Sequence, residues 1–371
     1  MKVHNISGAG LEAKLAELKS GVGVHTISEI LSEPATWKTC LENVETSAEL
    51  RSLNESLPRN IEWVFVGCGS SFYLAQTAAA TWSILTGEKS RAIPASEIML
   101  FTQLLPIPCQ PVVITRSGHT SEALQAARYL EDKRNLRCLA ITCGTDTPIE
   151  KIASHIIRLP AADEKSTVMT RSFTSMLLVL QSLAALRGNR GDFLDALRRL
   201  PDQVTERLSE IHTTIKSLVN SRTFADYVFL GQGPFFGIAQ ESMLKVKEMS
   251  CSYAQCFHTL EFRHGPKAIV SPETLITFII SESGFDAEVA VLEDIKKLGG
   301  TTLAVTNVCN LAIRRAADHL VELSLNVPEV ARASASVIPG QFLGFYTGIK
   351  KGLNPDEPKN LSRVVMLEGT K

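Results

Sequence analysis

Val64-Phe65-Val66-Gly67-Cys68-Gly69-Ser70-Ser71-Phe72-Tyr73-Leu74-Ala75-Gln76 returns later in the chain as Val228-Phe229-Leu230-Gly231-Gln232-Gly233-Pro234-Phe235-Phe236-Gly237-Ile238-Ala239-Gln240. The runs agree at Val64/Val228, Phe65/Phe229, Gly67/Gly231, Gly69/Gly233, Phe72/Phe236, Ala75/Ala239 and Gln76/Gln240. Leu139-Ala140-Ile141-Thr142 reappears at the same offset as Leu303-Ala304-Val305-Thr306, and Ser117-Gly118 recurs, slightly displaced, as Ser283-Gly284. A repeat of this length with its turn glycines in step means two copies of one α/β unit. Function should then sit where the copies differ.

The pattern around each copy supports this. Short apolar strands are expected at 62–66, 91–94, 111–115 and 137–142, with helices at 71–86, 120–133 and 147–154 between them. The second copy has strands at 227–230, 275–280, 301–306 and 321–325, and helices at 235–250, 286–297 and 309–317. Strands alternating with helices indicate parallel βαβ units, hence two doubly wound parallel sheets in tandem. Helical content at 11–19 and from Ile27 to Leu53 precedes them. Two helices over 172–219 join them, broken at Gly188-Asn189-Arg190-Gly191 with Pro201 opening the next run. A last helix over 331–351 ends at Gly352.

Composition excludes several classes. A net charge of −1 over 371 residues offers no basic field for nucleic acid. The apolar runs are too short to cross a bilayer, and the first residues carry no signal-peptide pattern. Eight cysteines scattered without metal-like pairs suit buried thiols in a reducing cytosol.

Chemistry concentrates in four places. The turn Gly67-Cys68-Gly69-Ser70-Ser71 lets backbone approach a ligand, and two hydroxyls open the next helix; the third glycine of a dinucleotide fingerprint is missing. Thr115-Arg116-Ser117-Gly118-His119-Thr120 adds three hydroxyls at another carboxyl end of the same sheet. Copy two replaces these with Gly231-Gln232-Gly233-Pro234-Phe235, which shapes a site rather than holding phosphate. Its first helix instead gains Glu241, Lys245, Lys247 and Glu248, of which 241, 245 and 248 share one face. Surface ion pairing is the ordinary meaning of such a pattern, but this helix springs from a glycine turn. Finally, His264 stands before Gly265-Pro266, on a loop suited to proton transfer; Glu261 and His264 lack the partners that would complete a metal site.

These motifs resemble the sugar isomerase (SIS) family, as tandem flavodoxin-like domains covering the chain from about residue 27. The resemblance rests on Cys68–Ser71, Ser117–Thr120, 241–248, 261–270 and 354–365. It is similar to the isomerase half of glutamine-dependent glucosamine-6-phosphate synthase and to amino-sugar-6-phosphate deaminases of the same family. It implies a leader (1–26), a phosphate-binding domain (27–200), a domain carrying the catalytic helix and loop (201–352), and a tail (353–371) over the active site. Ser70, Ser71, Thr115, Ser117 and Thr120 would hold a 6-phosphate. Glu248 would move a proton between C1 and C2, Lys245 would assist at the sugar oxygens, and His264 would open the ring from a neighbouring subunit of a homodimer. Gly69, Arg116, His119 and Arg363 would line the rest of the site.

Departures redirect the expectation. Arg116 and His119 stand where the synthase has glutamine and glutamate, and Arg363 where it has a lysine able to form a Schiff base, a role arginine cannot take. Only some 30 residues precede the first module, with no glutaminase domain among them. The expected activity is therefore a cytoplasmic, cofactor-free conversion of a hexosamine 6-phosphate to a ketohexose 6-phosphate plus ammonia. Alternatives are a fructosamine-6-phosphate deglycase, a plain ketose/aldose phosphate isomerase, or a sugar-phosphate-binding regulator without turnover.

Overall fold

A computed structural model describes residues 21–46 and 48–366. The helical content expected at 11–19 lies outside them. Both sheets are five-stranded, all parallel, and ordered alike: β2-β1-β3-β4-β5 and β7-β6-β8-β9-β10. The strands are β1 (Glu62–Gly67), β2 (Ser90–Pro94), β3 (Cys109–Ile114), β4 (Leu139–Thr142), β5 (His155–Arg158), β6 (Asp226–Gly231), β7 (Tyr253–His258), β8 (Thr274–Ile279), β9 (Thr301–Thr306) and β10 (His319–Glu322). This is the flavodoxin-like order, with its switch point between the first and third strands of each copy.

One strand per sheet was absent from the sequence expectation. The 147–154 helix is a short 3-10 turn, Pro148–Lys151, leading into β5, and β7 follows the helix Pro234–Ser250 directly. Pro201 also corrects the reading. It lies inside a continuous 31-residue helix, Gly191–Ser221, rather than opening one. That helix buries Phe193, Leu197, Leu200, Val204, Leu208, Ile211, Ile215 and Leu218 along one stripe. At about 1.5–3 kcal/mol per buried side chain, this outweighs the roughly 3 kcal/mol that an interior proline costs.

Alternation along the central strands sets the layers. Phe65, Val112, Ile114, Phe229, Leu275 and Leu303 belong to one apolar core that both copies share. Val64, Val66 and Val113 face a second core, and Val228, Leu230, Ile276 and Phe278 a third. The shared core holds the helices Ser70–Thr86, Arg171–Arg187, Gly191–Ser221, Pro234–Ser250 and Ile338–Lys350, which lie between the sheets. The last of these carries glycines four residues apart. A Cβ on Gly340, Gly344 or Gly348 would come 2.4 Å from Ser242 Cβ, 2.5 Å from the Lys245 carbonyl oxygen and 2.3 Å from that of Met249. These contacts seat it directly against the helix bearing Lys245.

Candidate functional site

The two glycine turns have the same backbone. Gly69 sits at φ 55°, ψ −126° and Gly233 at φ 54°, ψ −127°, each capping the helix that follows. Neither has a heavy atom within 4 Å of where a Cβ would lie, so the space above both turns is open. The helices they launch cross at Gly237, whose Cβ would meet Thr77 Oγ1 at 2.4 Å and the Tyr73 carbonyl at 2.5 Å. Thr77 also donates to the Pro234 carbonyl at 2.9 Å. Close approach at this crossing brings residues of copy one against the charged face of copy two.

There the expected carboxylates and lysine assemble. Lys245 Nζ lies 3.0 Å from Glu241 Oε1 and 2.5 Å from Glu248 Oε2. Ser70 Oγ donates to Glu241 Oε1 at 3.0 Å, and Lys245 Nζ donates to Ser70 Oγ at 3.2 Å. Glu241 and Lys245 side chains are wholly buried, whereas that of Glu248 is 18% exposed. This is a buried network, not the surface pairing that Glu–Lys spacing on a helix usually means. Burial alone would lower the Lys245 pKa, but Glu241 and Glu248 together reverse it and hold it above the ordinary value. Burial raises Glu241 to about 7 against the attraction of Lys245. The pKa of half-buried Tyr73 is raised by burial and then by the charges of Glu241, Cys256 and Glu248, against Lys245.

The phosphate-side residues have separate surroundings. Ser71 Oγ lies 3.9 Å from Met169 Sδ. Thr115 is buried with its hydroxyl lacking a partner among the described residues. Ser117 Oγ accepts from the His119 N–H at 3.2 Å, while the exposed His119 ring places Nδ1 2.7 Å from the Ser117 carbonyl. Thr120 caps the helix Ser121–Arg128 without a side-chain bond to it. Arg116 is engaged elsewhere: its guanidinium donates to the carbonyls of Thr167, Val168 and Arg363 and pairs with Glu164. Arg363 reaches Asp163 Oδ1 at 2.6 Å on the surface. His264 is exposed on the loop after β7; its N–H bonds the Glu261 carbonyl, and its ring meets neither Glu248 nor Lys245.

Sequence reasoning passed over the loop 163–170. Two buried carboxylates organise it. Glu29 accepts from the N–H groups of Lys165 and Ser166, at 2.6 and 3.3 Å, and Glu164 caps the next helix through Thr170 and Ser172. Its signal was the hydroxyl run Ser166-Thr167, hidden because the strand ahead of it went unread. The thiols also differ from expectation: Cys40, Cys109, Cys138 and Cys143 are buried, but Cys251 is exposed and Cys68, Cys256 and Cys309 are intermediate. Among the described residues no group of three or more His, Cys, Asp or Glu could hold a metal ion, and no helix is long and apolar enough to cross a membrane.

With this geometry in view, the profile of the SIS domain matches residues 60–186 and 226–347. The chain belongs to the SIS domain family, in two tandem copies. It is 26% identical over 370 residues to a glutamine–fructose-6-phosphate aminotransferase of Methanothermobacter thermautotrophicus, covering 99% of this chain and 61% of that protein. The chain thus spans about three-fifths of that relative's length. The crystal structure of a glucosamine-6-phosphate deaminase from Thermotoga maritima superposes with a TM-score of 0.77 at 28% identity, covering 92% of this chain and 100% of that one. In fold the chain is also like a tagatose-6-phosphate ketose/aldose isomerase from Escherichia coli, with a TM-score of 0.80 at 22% identity over 93% of this chain and 97% of that one.

Proposed function

We propose that this chain is a sugar-phosphate isomerase of the aldose–ketose type, acting as a deaminase on a hexosamine 6-phosphate. One observation carries the reading. Glu248 is the partly open carboxylate of a buried network that joins copy two's helix to copy one's phosphate-side turn. The likeness to the Thermotoga maritima deaminase, at 28% identity over its whole chain, supports the choice of substrate.

In this reading Ser71, Ser117 and Thr120, with the open backbone at Gly69, grip the phosphate, and Thr115's unpartnered hydroxyl stands beside them. Ser70 contributes its N–H rather than its hydroxyl, which is engaged with Glu241 and Lys245. Glu248 takes the C2 proton of the open-chain aldehyde, and the electron pair moves to give an enolamine. The proton returns at C1, leaving a C2 imine that water hydrolyses to the ketose phosphate and ammonia. Lys245 stabilises the oxygen that gains charge, and its raised pKa keeps it cationic for that role. Proton transfer of this kind is general acid–base chemistry carried by side chains alone. The exposure of His264, without a side-chain partner among the described residues, supports its ring-opening role in the site of a second subunit. All eight cysteines are unpaired, which suits a reducing cytosol.

The test is glucosamine 6-phosphate in deuterated water, with ammonia and deuterium at C1 measured together. The wild type should release ammonia and incorporate deuterium, and Glu248→Gln should lose both by about 10²–10⁴-fold. Deuterium exchange without ammonia would retain the isomerase and discard the deaminase. Neither signal, from hexosamine or ketose phosphates, would discard the enzyme reading.

A further inference from the structure

The tail beyond the last helix is held in an unusual way. Leu361, Val365 and Met366 are 46%, 51% and 68% exposed, so apolar burial does not fix its end. Its root is anchored where the buried Asp356 carboxylate accepts from the N–H groups of His25 and Thr26, at 3.2 and 2.7 Å, and from the Thr26 hydroxyl. The Asp356 carbonyl also takes the Thr167 N–H. Beyond the buried Pro358, the end of the tail is held by polar contacts. Arg116 Nη2 donates to the Arg363 carbonyl at 2.9 Å, the Ser121 N–H donates to the Val365 carbonyl at 3.2 Å, and the Arg363 side chain pairs with Asp163.

Of these, only the Arg116 contact comes from a charged group that is itself buried, 5% exposed. Residue 116 is pinned at both ends. Its carbonyl accepts from the N–H groups of Cys143 and Gly144 and from Thr142 Oγ1. Its guanidinium spans Thr167, Val168 and the tail. A planar group with fixed donors binds three carbonyls in one geometry, which a lysine or glutamine does not reproduce. The tail carbonyl of Val365 meanwhile rests on a backbone donor at the start of the helix Ser121–Arg128, beside Thr120.

We propose that Arg116 is a positioning residue, the latch that holds the tail across the mouth of the first copy's loops. It therefore governs entry to that mouth and departure from it, not proton transfer. That the mouth admits a sugar phosphate rests on the function proposed above; the latch does not.

Trypsin tests it on the full-length chain, because Lys359 and Arg363 are both exposed in the tail. Arg116→Gln should speed cleavage after these two residues about tenfold or more, with cleavage in the body changed far less. Arg116→Lys should fall between the two. Asp163→Asn, which loses only the surface pair, should change the rate less than about twofold. Arg116→Gln also removes the ion pair to buried Glu164, which keeps its bonds to Thr170 and Ser172, so Arg116→Lys, with a cation still beside Glu164, separates loss of the latch from loss of that charge. With glucosamine 6-phosphate, KM should rise for Arg116→Gln while kcat holds or increases. Tail cleavage no faster than in the wild type overturns the latch. So does a chain that cannot fold with either glutamine or lysine at 116, because Arg116 would then be a core residue. An inactive wild type whose tail is still released by Arg116→Gln would discard the proposed function and keep the latch.

Discussion

Lys245 keeps its charge in surroundings where a lone lysine would lose it, because Glu241 and Glu248 flank it on its own helix. Lys245→Met should therefore cost about 3–5 kcal/mol in denaturant unfolding, since it strands a buried carboxylate; a loss under about 1 kcal/mol would show that the network does not stabilise the fold. Glu241 supplies a pH signature. Its folded pKa of about 7 exceeds the ordinary 4.5, so the native state holds this proton more tightly than the unfolded chain. Stability from this group is complete below about pH 4.5 and is lost as pH rises through about 7. Glu241→Gln should flatten that part of the stability curve, and an unchanged slope between those pH values would refute the assignment. The cluster's membership was legible from the spacing of 241, 245 and 248, since a helix has only one face to give them. Ser70's part was not legible. Its hydroxyl turns from the open turn to Glu241 because a helix from the other copy crosses there, and nothing local in Ser70-Ser71 encodes that crossing.

At the level of elements, the helix Ile338–Lys350 positions the helix Pro234–Ser250 by bringing backbone against backbone. Gly344→Ala would place a methyl 2.5 Å from the Lys245 carbonyl oxygen. Overpacking of this kind costs about 1–3 kcal/mol and shifts the helix. Both the melting temperature and kcat should fall, with KM little changed; a stable variant with full kcat would show that the contact is slack. The two strands missed in the sequence are both sheet edges with polar residues, although edge position alone does not hide a strand, since β2 and β10 are edges and were expected at 91–94 and 321–325. β5 pairs only with β4 and β7 only with β6. Both are half-buried and carry polar residues, as in His155-Ile156-Ile157-Arg158 and Tyr253-Ala254-Gln255-Cys256-Phe257-His258, so they lack the apolar run that revealed the central strands. The central strands were legible because they are buried on both faces.

Across the whole molecule, the proposed function makes the duplication a division of labour. The first copy keeps the hydroxyl loops and the second supplies the carboxylate, and the turn backbones remain superimposable while the side chains diverge. If His264 serves a second subunit, the active form is a homodimer. Mixing Glu248→Gln with His264→Ala should then restore part of the activity that each lacks, to about one quarter of wild type if subunits exchange at random. No recovery after exchange is demonstrated by sedimentation would place His264 outside the chemistry. The tandem architecture was readable from the repeat alone, whereas the subunit arrangement depends on surfaces that a repeat does not describe.

The central layer of helices belongs to neither copy by itself. Because one continuous apolar interior is lined by both sheets, neither half can melt without exposing the other's inner face. Scanning calorimetry should record one cooperative heat-absorption peak rather than two, although the chain is built from a repeated unit.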